Sequence, residues 1–278
     1  MRTAGYSDLT SRCALHDCPR AEHNQQHMSA PRSSPQLPDA KSPAANVWPR
    51  LIADPAHGPL PALLLVLTVL TGVIDAVSIL GLGRVFVANM TGNIVFIAFA
   101  IASVPGFSLA SSVAALAGFL VGAFAGGFII DRYSLHRGRL LRNACGIEFV
   151  IVAVSFLITL TSHDDASRSA KVAVSALCAV AMGIQNTTAR KLAVPDLTTT
   201  VLTMTLTGIA ADVRRSGLTV ITRRVFAVLA MFVGGVAGAE LFLHTRLAWA
   251  LALALCLLAA VTITAGLLSR RPAAWNAL

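Results

Sequence analysis

Six apolar runs dominate the chain between residues 60 and 270, each of about 18 to 22 residues. They cover Leu63–Leu82, Leu109–Ile130, Ala144–Thr161, Val172–Ala189, Val225–Leu243 and Leu247–Leu268. A bilayer core about 30 Å thick requires about 20 apolar residues of helix. Helices and closed barrels are the structures that satisfy every backbone group inside that core. The runs therefore predict an all-α, polytopic membrane protein.

Composition supports the same class of protein. Hydrophobic residues make up 55% of the chain and charged residues only 13%, whereas soluble domains average about 25% charged residues. The formal net charge is +9, but the arginines stand in clusters between apolar runs, as they do in cytoplasmic loops. We therefore expect the lipid bilayer, and no nucleic acid, as a partner. The five cysteines form no disulfide framework, and no cofactor or metal is expected.

The chain divides into a tail, a membrane domain and a short end. Residues 1–59 are rich in Pro, Ser, Asn, Gln and His and predict a disordered cytoplasmic tail. Residues 60–270 form the membrane domain, and residues 271–278 a second cytoplasmic tail. Residues 1–27 lack the apolar core of a signal peptide. The tail contains four potential zinc ligands whose spacing is too short for a zinc finger: Cys13, Cys18, His23 and His27.

Two shorter segments, 86–103 and 198–211, are more polar, and basic residues decide whether they cross. If neither crosses, 13 Arg and Lys residues lie on the cytoplasmic side and four outside. If both cross, the division is nine against eight. Because cytoplasmic loops carry the excess of positive charge, we expect six full spans plus two short or broken helices. Seven or eight spans remain the alternative.

The chain also repeats itself at an offset of 111 to 112 residues. The matched pairs are Gly72 with Gly183, Asp75 with Asn186, Thr91 with Thr203, Gly122 with Gly234, and Gly126 with Gly238. The pattern predicts two repeated halves, about 60–161 and 171–268. With three full spans in each, the second half is inverted relative to the first. Inverted repeats with short interrupted segments are a transporter architecture, with the binding site at their interface.

Polar residues interrupt the apolar chain in two islands. The first covers Thr71–Asp75 and Asn89–Asn93, and the second covers Met182–Asn186 and Thr203–Thr207. Such groups are costly at membrane depth and usually face a protein interior or a wet cavity. We therefore expect one substrate- or ion-binding site built from both halves. Its candidate residues are Asp75, Asn89, Thr91, Gly92, Asn93, Gln185, Asn186, Thr203 and Thr205.

Asp75 has two interpretations, which the sequence leaves open. It either binds a cation, a proton or a substrate, or it is a hydrogen-bonded residue that joins the two halves. Met204 stands opposite Gly92 in the repeat, so the two half-sites are expected to differ.

Other polar residues have simpler interpretations. Glu148 lies near the cytoplasmic arginines and is expected to pair with Arg142 or to reach the interface. Glu240 and His244 share a helix face at i, i+4, which favours an interfacial pair and leaves a proton relay as the alternative. Asp196 is interpreted as a helix N-cap. The G-x-x-x-G faces, formed by Gly118, Gly122, Gly126, Gly234 and Gly238, predict close helix packing and are compatible with a homodimer.

Four stretches resemble the signature of the YoaK-like membrane proteins, the family called domain of unknown function 1275. They are Thr71–Val77, Phe86–Asn93, Met182–Asn186 and the threonine-rich segment that follows. The resemblance covers about residues 60–270. It implies a bacterial inner-membrane protein without an established substrate or activity. Asn89 stands where many relatives have histidine, so the resemblance does not support a proton relay there.

These patterns favour a small secondary transporter with a site at the middle of the membrane. The alternative is a membrane scaffold or regulatory subunit whose polar islands serve helix packing. An intramembrane enzyme is a third, weaker interpretation, because the chain has no H-E-x-x-H, G-x-S-x-G or P-loop motif. No catalytic residue is expected.

Overall fold

The structure is a computed structural model that describes part of the chain. The described residues are 57–133, 135–162, 167–195, 197, 199, 202–211, 218–270 and 274–276. Residues 1–56 of the expected tail, with their cysteines and histidines, lie outside these ranges, and so does Asp196.

Eight α-helices and one short 3-10 turn, without β-strands, form the described part of the chain. They are α1 (Leu60–Gly81), α2 (Met90–Ile101), α3 (Leu109–Tyr133), α4 (Arg137–Thr161), α5 (Arg168–Leu192), α6 (Leu202–Ala211), α7 (Leu218–His244), α8 (Leu247–Ser269) and the turn Ala274–Asn276. Six helices are long and apolar enough to cross a membrane. Helices α2 and α6, with 12 and 10 residues, reach only about 18 and 15 Å. The predicted all-α class, with six full spans and two short helices, is confirmed.

The first helix of each predicted half lies at the centre of the bundle. In the most apolar stretch of α1 and α5, 67% and 61% of the residues are buried, against 17–28% in the other four long helices. Large apolar side chains on the outer helices are exposed, among them Phe124 and Phe128 on α3 and Phe232 on α7. In a membrane protein these faces contact lipid. The polar islands are thus carried by the two central helices.

Glycines bring two helix pairs into close contact. A Cβ on Gly122 of α3 would lie 2.0 Å from the carbonyl oxygen of Val180 on α5. A Cβ on Gly234 of α7 would lie 2.0 Å from the carbonyl oxygen of Val69 on α1. Because only glycine permits such an approach, the predicted glycine packing is confirmed.

Both pairs run parallel. Gly118 lies against Ala176 and Gly122 against Val180, so α3 and α5 advance together. Helices α1 and α7 advance together in the same way, since Gly234 lies against Val69 and Gly238 against Val73.

The segment between α1 and α3 enters and leaves the bundle at the same end. A Cβ on Gly83 would lie 3.5 Å from Ser111 Oγ, and one on Gly106 would lie 2.7 Å from Nη1 of Arg84. The end of α1 and the start of α3 are therefore neighbours. We call residues 82–101 the re-entrant segment, because the chain turns inward after α1 and returns through α2.

Labelling with a membrane-impermeant maleimide tests this topology. In a variant with Cys13, Cys18 and Cys256 changed to serine, we expect Ala102→Cys and Thr245→Cys to react from the same side of the membrane. Leu135→Cys, at the opposite end of the bundle and 87% exposed, should react from the other side. If Ala102→Cys reacted together with Leu135→Cys, α2 would have to cross.

Candidate functional site

A cavity of about 910 Å³ lies beside the two central helices. Its polar lining comes from both islands: Asp75, Asn89, Thr91 and Gly92 from the first, and Asn186 and Thr203 from the second. Six of the nine predicted site residues therefore border one space. The cavity is the place where the two halves of the sequence pattern meet.

Asp75 holds the backbone of the re-entrant segment. It is 5% exposed, and its Oδ1 accepts hydrogen bonds from the backbone N–H groups of Val87 at 3.1 Å and Ala88 at 3.0 Å. Those residues are not helical, so their N–H groups have no helical carbonyl to bind. Non-helical backbone at membrane depth needs partners from the protein. Asp75 supplies two of them.

The second oxygen of Asp75, Oδ2, takes no part in these two hydrogen bonds. Both hydrogen bonds made with described residues use Oδ1, and the residue lines the cavity. Oδ2 is therefore the oxygen of Asp75 that is not used to hold the re-entrant segment. The two interpretations of Asp75 from the sequence are compatible, because each oxygen has a different environment.

The turn after α1 directs the chain towards Asp75. Gly83 has φ of +101° and Arg84 has φ of +56°. Glycine adopts positive φ without a Cβ clash, so this pair reverses the chain direction soon after α1 ends. The reversal brings residues 86–89 back alongside the last turns of α1.

Asn93 completes the re-entrant segment and does not line the cavity. Its side chain is fully buried. Its Oδ1 accepts from the backbone N–H of Phe86 at 2.9 Å, and its Nδ2 donates to the carbonyl oxygen of Phe86 at 2.5 Å. Both polar atoms of the Asn93 amide thus bind the backbone of a single residue, Phe86. Asn93 stabilises the segment rather than offering a ligand.

The start of α2 faces the cavity. Asn89 is the N-cap residue of α2, and its side chain makes no capping hydrogen bond. Thr91 is exposed and lines the cavity with it. Position 92 favours glycine because a Cβ there would lie only 2.5 Å from the ring of Phe86. The Asn89 amide and the Thr91 hydroxyl are therefore the polar side-chain groups that the start of α2 and its N-cap bring to the cavity.

Gln185 joins the two central helices instead of lining the cavity. It is 1% exposed, and its Nε2 donates to Thr71 Oγ1 at 2.8 Å and to the carbonyl oxygen of Leu67 at 3.5 Å. Thr205, in the second short helix, is also buried and does not line the cavity. Of the second island, Asn186 and Thr203 reach the cavity.

The sequence interpretation missed the apolar part of the lining. Phe119 of α3 and Met231 of α7 both border the cavity, and they correspond at the same offset of 112 residues as the glycines. Extending the repeat to apolar positions would have found them. Met204, predicted to stand opposite Gly92, is 70% exposed and does not line the cavity.

Two predictions about ionisable pairs have different outcomes. Glu240 and His244 lie 3.1 Å apart on an exposed face, as expected for an interfacial pair. The expected pairing of Glu148 with Arg142 is wrong. Glu148 is fully buried, and the Arg142 guanidinium donates to Asn143 Oδ1 at 3.0 and 3.1 Å. A spacing of six residues places Glu148 and Arg142 on different faces of α4.

Comparison with known proteins identifies the family. A family described as "Protein of unknown function (DUF1275)" matches residues 63–264. The chain belongs to this family. It is also similar to the UPF0700 transmembrane protein YoaK of Bacillus subtilis (strain 168), with 32% identity over 152 residues, which are 54% of this chain and 66% of YoaK. No solved structure matches the chain.

The family assignment and the six long helices make this a multi-pass membrane protein. The matched residues include both polar islands and every residue of the cavity lining. The family description carries no activity, so a function has to be argued from the cavity itself.

Proposed function

We propose that this protein is a small secondary transporter, or permease, of the bacterial inner membrane rather than an enzyme. The observation that carries the proposal is the cavity of about 910 Å³ bordered by polar residues from both halves of the chain. Its volume is in the range of small-molecule sites, about 300–1,000 Å³. A midplane site between two halves is the arrangement found in many transporters.

The two halves are, in this proposal, inverted repeats. Their contacts match position by position: Gly72 lies against Met231 and Gly235, and Gly183 lies against Phe119 and Ala123. Each partner of Gly183 precedes the corresponding partner of Gly72 by 112 residues. The first helix of each half thus packs on the second long helix of the other. Such exchanged packing allows the halves to rock against each other around the cavity.

Basic residues support a cytoplasmic position for the start of α1. Among the described residues, four lie at the end of the bundle where α1 finishes: Arg84, Arg168, Lys171 and Arg246. Nine lie at the opposite end: Arg132, Arg137, Arg139, Arg142, Arg190, Lys191, Arg223, Arg224 and Arg270. Because positive loops stay on the cytoplasmic side, α1 would begin there.

The lining suggests the class of solute. Asp75 is the one ionisable side chain among the described residues that border the cavity. Amides and hydroxyls of Asn89, Thr91, Asn186 and Thr203 surround it, and Phe119 and Met231 supply apolar surface. This combination suits a small cation, or a small polar solute carried together with a proton or cation on Asp75.

Filling the cavity should stop transport. Gly235 lines the cavity, and a Cβ there would meet nothing within 4 Å, so Gly235→Leu can extend into the open space without a clash at its first carbon. We expect proteoliposomes with the wild-type protein to take up at least one solute from a panel of small cations and polar metabolites. Gly235→Leu should lose that uptake and keep its thermal stability.

The matched control is Gly127→Leu, whose Cβ also meets nothing within 4 Å but which does not line the cavity. It should transport like the wild type. Absence of uptake for every solute with the wild type, or full uptake by Gly235→Leu, would count against a transport function.

A scaffold or regulatory subunit is the second candidate. Asp75, Asn93 and Gln185 all make hydrogen bonds within the protein, which a purely structural role also requires. This reading predicts no solute flux with the wild-type protein, so the same assay separates the two candidates.

A further inference from the structure

Glu148 is a buried acid that the cavity does not use. It lies in the middle of α4 and is 0% exposed. Neither Oε1 nor Oε2 has a hydrogen-bond partner among the described residues. An ionised carboxylate in such a place is highly unfavourable without a donor or a cation.

Helix register brings Glu148 to the level of Gln185. Helices α4 and α5 follow each other through a short connection and run antiparallel, with Thr159 and Lys171 lining one pocket at that end. Ser155 of α4 and Cys178 of α5 are both fully buried, and their side chains lie close to each other. Seven residues make about two helical turns and return to nearly the same face of a helix. Because the helices are antiparallel, the matching positions are Glu148, seven residues before Ser155, and Gln185, seven residues after Cys178.

Both helices carry buried acceptor atoms without donors near this level. Gln185 Oε1 is buried and has no partner among the described residues, while its Nε2 is used by Thr71. Thr188 Oγ1, about one turn further along α5, is also buried without a partner there. The carboxylate of Glu148 and the amide oxygen of Gln185 therefore both lack a hydrogen-bond donor among the described residues.

We propose that Glu148 is a proton-binding site, in which the protonated carboxyl donates a hydrogen bond to Gln185 Oε1. One proton would remove the charge of the carboxylate and supply the donor that the amide oxygen lacks. Gln185 already binds Thr71 of α1, one turn before Asp75. Protonation of Glu148 would therefore link α4, α5 and α1. The proposal does not depend on transport through the cavity.

A proton fits this site better than a metal cation does. Hard cations such as Ca²⁺ take about six or more oxygen ligands. The buried, unpartnered side-chain oxygens among the described residues of α4, α5 and α8 are fewer: those of Glu148, Gln185, Thr188 and Thr262. On α8, contacts of Gly146 with Thr262 and of Gly266 with Arg142 set the register. The titratable groups buried on α4, α5 and α1 besides Glu148 are Cys145, Cys178 and Asp75, while the buried residues of α8 near this register, Leu258 and Val261, are apolar.

Infrared spectroscopy can observe this one carboxyl group. The chain has three glutamates, Glu22, Glu148 and Glu240, and the double variant Glu22→Gln, Glu240→Gln leaves Glu148 alone. Cell-free synthesis into nanodiscs with carboxyl-labelled carbon-13 glutamate then marks a single side chain. We expect a carboxylic-acid band at neutral pH in sodium-free buffer, where a solvated glutamate is ionised. Gln185→Leu in that background should shift the band towards that of an acid without an acceptor.

Three results would overturn the proposal. A carboxylate band alone at neutral pH would show that no proton is bound. A carboxylic-acid band that sodium converts to a carboxylate band would indicate a metal cation site. A band that Gln185→Leu leaves unchanged would separate Glu148 from Gln185.

Thermal stability provides a second measurement. The Tm of the wild type should fall as pH rises above the acidic range in which a solvated glutamate titrates, because the unfolded chain then releases this proton whereas the folded protein keeps it. Glu148→Gln, whose amide can donate to Gln185 Oε1 without titrating, should lose this part of the pH dependence. Glu240→Gln, which changes an exposed carboxylate, should keep it. Equal pH profiles for the wild type and Glu148→Gln would contradict the proposal, and the infrared result stands even if Glu148→Gln does not fold.

Discussion

Asp75→Asn should keep the protein folded and lower solute flux, whereas Asp75→Ala should destabilise the fold itself. Asparagine retains an Oδ1 acceptor for the N–H groups of Val87 and Ala88, and it removes the negative charge. Alanine leaves both buried N–H groups without a partner, at about 1–3 kcal/mol each. A large drop in Tm is therefore expected for Asp75→Ala alone.

The flux of Asp75→Asn should fall by about tenfold or more. Hydrogen bonds to a charged group contribute about 1.5–3 kcal/mol, and about 1.4 kcal/mol corresponds to a factor of ten in binding. Thermal shift assays and proteoliposome uptake measure the two effects separately. Glu240→Ala, at an exposed carboxylate, serves as the control and should change neither. If Asp75→Ala were as stable as the wild type, Asp75 would not hold the re-entrant segment; full flux in Asp75→Asn would exclude a role for its charge.

Gly122→Ala and Gly234→Ala should each destabilise the protein, and by similar amounts. The added Cβ would lie 2.0 Å from a backbone carbonyl oxygen in both cases, so the helix pair has to separate. Overpacking of this kind typically costs about 1–3 kcal/mol, and backbone cannot move aside as a flexible side chain can. Thermal unfolding in one detergent or nanodisc gives the comparison.

Gly127→Ala is the matched control on the same helix as Gly122. Its Cβ would meet nothing within 4 Å, and alanine is favoured over glycine in a helix by about 1 kcal/mol. Gly127→Ala should therefore be neutral or stabilising. If Gly122→Ala lowered Tm and Gly234→Ala did not, the two helix pairs would not be equivalent, and the proposed repeat would be weakened.

The sequence indicated which stretches of the chain lie near the cavity, but it did not indicate which residue in each stretch lines the cavity and which binds backbone. The two polar islands contain Asp75, Asn89, Thr91, Asn186 and Thr203, which line one cavity. The sequence could not separate these residues from Asn93 and Gln185, because all are amides, hydroxyls or acids in the same stretches. Their orientation depends on which backbone groups lie opposite, as Phe86 lies opposite Asn93.

Glu148 illustrates the same limit on a single helix. Proximity in sequence suggested Arg142 as its partner, but the two residues lie on different faces of α4, and Arg142 binds Asn143. The proposed partner of Glu148, Gln185, lies on a different helix. That proposal could arise only from the packing of α4 against α5.

Hydropathy and charge by themselves determined the class of this protein. Apolar runs long enough to cross a bilayer, two runs too short to do so and the uneven distribution of arginines define six spans with two short helices, because the bilayer imposes length and charge rules on any chain. The tertiary structure decided which polar groups face the cavity and which bind backbone. That outcome depends on the reversal at Gly83 and on the close glycine contacts, which place α1, α5 and the re-entrant segment together. Hydrogen-bond partners distant in sequence are set by this packing, and no local pattern contains them.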